Sequence, residues 1–109
     1  MQPMRATLQT LEQTIAERRK ADPSASYVAK LTARGRGKIA QKVGEEAVEA
    51  VIAAMADNRA ELVGESADLL FHLLVLLADC GVPFDDVLDE LDRREGLSGL
   101  VEKAARPKD

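Results

Sequence analysis

The chain has 109 residues, 46% hydrophobic and 31% charged, with a formal net charge of -4, which suits one domain whose single core buries roughly two thirds of the surface the unfolded chain exposes. The acidic balance excludes nucleic-acid binding by general electrostatics, because that mode needs a basic face to displace counterions. The lone cysteine, Cys80, excludes an intrachain disulfide and a cysteine-rich zinc centre, and fits a reducing, cytoplasmic setting.

Residues 1–20 alternate charged and apolar positions and lack the apolar run of a secretion signal. Within 7–21, Leu8, Leu11 and Ile15 share one side and Pro23 follows, the spacing of an amphipathic helix. Residues 24–33 open on a capping residue, Ser24, and carry Tyr27, Val28 and Leu31, so a short helix is predicted before the Gly35-Arg36-Gly37 break. Residues 38–55 read as one long helix; its Gly44 costs about 1 kcal/mol relative to alanine, which suggests a packing or ligand reason. Asp57 and Asn58 then supply a turn and a cap, and residues 60–80 make a second long helix closed by Gly81 and Pro83. These two helices should form an antiparallel hairpin. Residues 83–95 place Val87, Leu88 and Leu91 on one face, Gly96 ends that helix, and 104–109 read as a disordered tail. The expectation is a single all-α domain, a helical bundle around the hairpin, with its core over about 8–95 and an aliphatic interior, since only Tyr27, Phe71 and Phe84 are aromatic. The most apolar run, 69–78, is about half the ~20 residues of a membrane span and contains His72, so no membrane is expected.

At about 100° per residue, Ile39, Val43, Ala47, Ala50, Val51 and Ala54 share one side of the first long helix. Lys38, Lys42, Glu45, Glu46 and Glu49 form a charged strip beside it, with Glu46 at the edge of the apolar face. The second long helix is apolar round most of its circumference and is expected to be buried nearly all round. Its exception is a narrow strip of Glu61, Glu65, Asp68, His72 and Asp79. Buried charge is costly unless it is paired or coordinates a metal. Glu46 with Glu49, and Glu65 with Asp68, are pairs three residues apart that a hairpin would bring together. Such hard oxygens suit Mg²⁺ or Mn²⁺, and through the ion a phosphate substrate. Arg34, Arg36, Lys38 and Lys42 lead toward these acids, although the spacing is not that of a Walker A loop. The plainer reading of the first strip is a solvated helix face, and of His72 a satisfied structural histidine.

Gly44-Glu45-Glu46-Ala47-Val48-Glu49, with fifteen residues before Glu65-Ser66-Ala67-Asp68, resembles the EExxE…ExxD signature of the all-α NTP pyrophosphohydrolases, which include MazG-type enzymes and dimeric dUTPases. The flanking text, Ser26-Tyr27-Val28-Ala29-Lys30-Leu31, Lys38-Ile39-Ala40-Gln41-Lys42-Val43 and Leu69-Leu70-Phe71-His72-Leu73 among it, is similar to the phosphoribosyl-ATP pyrophosphatases of histidine biosynthesis. That resemblance implies hydrolysis of phosphoribosyl-ATP to phosphoribosyl-AMP and pyrophosphate; the mechanism expected for it is attack by a metal-bound water in line with the α–β bridge. It further implies Mg²⁺, or Mn²⁺ as a substitute, on Glu46, Glu49, Glu65 and Asp68, with Glu45 supporting the metal or orienting water. Lys38, Lys42, Arg34 and Arg36 would meet the substrate phosphates. A homodimer is implied too, and a second copy would cover the second helix's apolar surface. The cyclohydrolase fused to this activity in some organisms is expected on a separate chain. Two other readings are a MazG-like enzyme acting on another nucleotide and a non-catalytic helical dimerisation module indifferent to loss of its acids.

Overall fold

The computed structural model describes residues 3–95, five helices in succession: α1 (Met4–Arg18), α2 (Tyr27–Arg34), α3 (Arg36–Met55), α4 (Arg59–Cys80) and α5 (Phe84–Arg94). Each boundary has a local cause. Ser26, not Ser24, caps α2, its hydroxyl accepting from the Ala29 amide at 3.1 Å. Ser24 is engaged elsewhere, its amide and hydroxyl both donating to Asp22 at 2.8 Å in the preceding turn. A single residue, Gly35, ends α2 and starts α3; its φ of 98° lies where side chains are strained, so the chain turns there and Gly37 remains helical. The break therefore occupies one residue rather than three. Asn58 caps α4 by accepting from the Glu61 amide at 3.1 Å. Gly81, at φ 71°, closes α4 in the left-handed conformation. In α5 the acids Asp85 and Asp86 sit in the first turn and Arg93 and Arg94 in the last, each opposing the helix dipole favourably.

The core is a cluster of Ile15, Val28, Leu31, Ile39, Leu74, Val75 and Phe84, drawn from all five helices. Each such side chain contributes roughly 1.5–3 kcal/mol on leaving water. The cluster anchors the C-terminal half of α4 and the start of α3, while α3 and α4, joined by residues 56–58, make the most extensive helix contact of the fold. Among the described residues no single helix is long and apolar enough to cross a membrane.

One expectation of burial is met within the single chain only in part, and another is corrected. α4 keeps an uncovered face, with Val63 68% exposed and Leu70 44%, the kind of surface that a second copy is expected to cover. Four other helices are too few to wrap 22 residues, and α1 and the core take only the later turns. On α3, Val51 and Ala54 face outward while Ala53 is buried. The line that meets α4 runs instead through Ala47, Ala50 and Ala53, small residues that let the helices approach closely, and Val48, Val51, Ile52 and Met55 are turned to the outside. Gly96 and the tail at 104–109 lie outside the described residues.

Candidate active site

Glu46 lies four residues before Ala50 and seven before Ala53, so its side chain joins the inner line of α3 at the seam with α4, where it is 14% exposed. Glu65 and Asp68 reach the same seam from α4, one turn apart. One carboxylate oxygen from each of Glu46, Glu65 and Asp68 lies within 4.8 Å of the other two. Glu65 Oε2 is buried and has no hydrogen-bond partner among the described residues. Hydrogen bonding with Glu46, burial, and the charges of Glu46, Glu49 and Asp68 push the Glu65 carboxyl up to about 7, from 4.5. Three carboxylates meeting in one seam, with a buried Glu65 oxygen that has no partner among the described residues, fit a divalent cation such as Mg²⁺.

Glu49 is not in this three-way group, although its charge acts on Glu65. Glu45 points along the solvent side of α3, accepting from Gln41 Nε2 at 2.8 Å and meeting Lys42 at 3.5 Å. Those donors, Gln41 first, hold its carboxyl below the ordinary value despite some desolvation. Lys42 lies between the acids, its Nζ also 3.6 Å from Glu46. Desolvation lowers the Lys42 ammonium, but Tyr27, Glu45 and Glu46 outweigh it and leave its pKa raised.

Beyond Lys42 opens a cavity of about 260 Å³ lined by Tyr27, Lys30, Leu31, Arg34, Lys38, Lys42 and Glu45. Four cations face one acid there, the arrangement that receives a polyanion. Sequence reasoning missed Lys30 and Tyr27 as lining residues. The signal for Lys30 was available, since it lies four residues before Arg34 and so on the same face of α2. Arg36, by contrast, is directed to the end of α4: Nε donates to Asp79 Oδ2 and an Nη to the Asp79 carbonyl, both at 2.9 Å. Arg19 reaches the same carboxylate at 3.3 Å. His72 is buried at 6% exposure beside the acids, linked to Tyr27 and to the Asp68 carbonyl. A larger cavity of about 500 Å³ lies between α1 and the end of α4, away from the acid seam; its one acid, Glu12, accepts the Phe84 amide at 2.8 Å.

A cluster of carboxylates with the donor set for a divalent cation, next to a basic cavity whose wall includes Lys42, is suited to hydrolysis of a phosphoric anhydride, in which positioning and charge neutralisation carry most of the catalysis. Comparison with known proteins points the same way. Residues 8–95 match the model of the family described as phosphoribosyl-ATP pyrophosphohydrolase. A protein of Rhizorhabdus wittichii named phosphoribosyl-ATP pyrophosphatase is 72% identical over 96% of this chain and 99% of its own. Proteins of the same name from Novosphingobium aromaticivorans and Zymomonas mobilis are 69% and 63% identical, covering 91% and 94% of this chain and 92% and 95% of theirs.

Proposed function

The chain belongs to the phosphoribosyl-ATP pyrophosphohydrolase family, and we infer from this that it hydrolyses phosphoribosyl-ATP to phosphoribosyl-AMP and pyrophosphate in histidine biosynthesis, as a cytoplasmic, Mg²⁺-dependent homodimer. The observation that carries the metal reading is the convergence of Glu46, Glu65 and Asp68, together with a buried Glu65 oxygen that has no partner among the described residues. Mg²⁺ held by these residues, with Glu49 beside them, would offset their mutual repulsion and polarise the phosphoryl group; Mn²⁺ would substitute.

The chain's own residues do the rest. Lys30, Arg34, Lys38 and Lys42 supply the positive charge that draws the triphosphate into the cavity. Lys42, tied to both Glu45 and Glu46, keeps one cation at the border of cavity and seam, where charge accumulates as the α–β bridge breaks. Glu45 holds Lys42 there. Water supplies the oxygen that replaces pyrophosphate on the α-phosphorus, and its protons leave to solvent or to the acids.

The homodimer reading is supported by the outward apolar face of Val48, Val51, Ile52 and Met55 on α3 with Val63 and Leu70 on α4. Exposed apolar surface of this kind marks an interaction site.

The deciding assay is pyrophosphate release with Mg²⁺ present and absent, comparing phosphoribosyl-ATP with a panel of nucleoside triphosphates. Metal-dependent turnover of phosphoribosyl-ATP alone is expected. Turnover of a panel nucleotide instead would keep the site and replace the substrate, and metal-independent turnover would remove the ion.

A further inference from the structure

Tyr27 stands in the wall of the cationic cavity yet carries no charge, and its hydroxyl is already committed. Its Oη lies 2.8 Å from Nε2 of His72, whose Nδ1 lies 2.7 Å from the Asp68 carbonyl oxygen. A carbonyl only accepts, so Nδ1 donates; in the Nδ1–H tautomer Nε2 is an acceptor, and the Tyr27 hydroxyl donates to it. Tyr27 lines the cavity, and what its oxygen has left to offer a ligand is lone pairs alone. The imidazole is fixed as well as buried, with Tyr27 and Phe71 edge-on to it at centroid distances of 5.8 and 5.2 Å. Tyr27 also stacks on Phe71 at 6.2 Å.

A phosphate oxygen is an acceptor and gains nothing from another acceptor, whereas a hydroxyl donor does. Lys42, another donor in the wall, is divided between Glu45 and Glu46. The ligand inferred above carries its phosphates on ribose, whose hydroxyls are donors of the required kind. We propose that Tyr27 is a specificity-determining residue that accepts a hydrogen bond from a ribose hydroxyl of the substrate, and that His72 is the positioning residue that holds the phenol in its accepting state. This rests on the phosphoribosyl-ATP reading. It makes the enzyme a reader of the sugar as well as of the phosphates, and assigns His72 a task distinct from holding the acid seam.

The test is steady-state kinetics on the full-length protein with phosphoribosyl-ATP and with analogues each lacking one hydroxyl, the 2′ or the 3′ of the ATP ribose or of the phosphoribosyl group. Tyr27→Phe, which keeps the ring on Phe71, should raise KM about five- to tenfold, the size of one lost neutral hydrogen bond, with kcat nearly unchanged. His72→Leu should do the same, and the double variant no more than either alone. His72→Gln, whose amide oxygen can accept from the phenol, should recover most of the affinity. For the analogue lacking the recognised hydroxyl, wild type should already show the raised KM and Tyr27→Phe should add nothing. An unchanged KM in Tyr27→Phe, an equal penalty on every analogue, or additive effects of the two residues would overturn the proposal. If His72→Leu does not fold, Tyr27→Phe with the analogues decides alone. A wild-type protein that fails to turn over phosphoribosyl-ATP would instead remove the substrate assignment on which the proposal stands.

Discussion

Glu65 carries the sharpest electrostatic consequence of the structure. Its carboxyl stands at about 7 in the folded chain against 4.5 as an ordinary group, so between those values the metal-free folded state keeps a proton that the unfolded state has released. The stability tied to that proton is complete below about 4.5 and is lost as pH rises through about 7. Thermal melts of metal-stripped protein across this window should therefore show Tm falling with pH, and Glu65→Gln, which cannot titrate, should flatten the fall. A metal ion takes the deprotonated carboxylate, so Mg²⁺ added near pH 6 should release a proton to the buffer, which calorimetry in buffers of different ionisation enthalpy would detect. Activity of Glu65→Gln should drop by at least about 100-fold, since a ligand to a catalytic ion supplies several kcal/mol of charge stabilisation. Retained Mg²⁺-dependent turnover in that variant would take Glu65 out of the site.

At the scale of elements, α4 is held at both ends by polar devices that differ in kind. Its start depends on the Asn58 cap, and Asn58→Ala should cost about 1 kcal/mol, read as a lower denaturation midpoint without a change of slope. Its end is tied to α3 and α1 through Asp79, which accepts from Arg36 and Arg19. Arg36→Ala should lower Tm slightly and leave KM for the substrate unchanged. A raised KM would return Arg36 to the phosphate-binding set. Much of this was legible in advance: the two long helices, the Asn58 cap and the Gly81 stop follow from capping chemistry and periodicity that act within a few residues. Glu46, Glu65 and Asp68 were legible because acids at the edge of apolar stripes have few places to go. The roles of Ser26 and Arg36 were not, because each depends on a competitor. Ser24 lost the cap to Asp22's turn, and Arg36 found a carboxylate forty-three residues away that no local spacing reveals.

For the whole molecule, the misjudged face of α3 is informative. A helix wheel sorts apolar from polar but does not say which of two apolar arcs meets a neighbour in the same chain. The small arc, Ala47, Ala50 and Ala53, met α4, and the large one, Val48, Val51, Ile52 and Met55, was left outside with Val63 and Leu70. Under the homodimer proposal, sedimentation should give twice the chain mass, and Ile52→Glu with Leu70→Glu should halve it. A wild-type monomer at tens of micromolar would sink that proposal. Gly44 offers a finer probe. A β-carbon there would meet nothing within 4 Å, so Gly44→Ala should stabilise an isolated chain by up to about 1 kcal/mol. It lies on the outward arc one turn before Val48, so if a second copy approaches closely there, the same change should loosen the dimer.

Gly35 separates α2 from α3 by a single residue, with Tyr27, Lys30 and Arg34 on one side of it and Lys38, Lys42 and the Glu46 carboxylate on the other. The two arms of the cavity thus meet at one residue, whose φ and ψ set the direction in which α3 leaves α2. Any side chain at this residue must take φ 98° and ψ 166°, at a cost of about 1–3 kcal/mol. Gly35→Ala should therefore relieve itself by swinging one arm, so that the grip on the phosphates weakens while the acids of the seam, all beyond Gly35, keep their spacing. The mechanical signature is a raised KM with metal affinity intact.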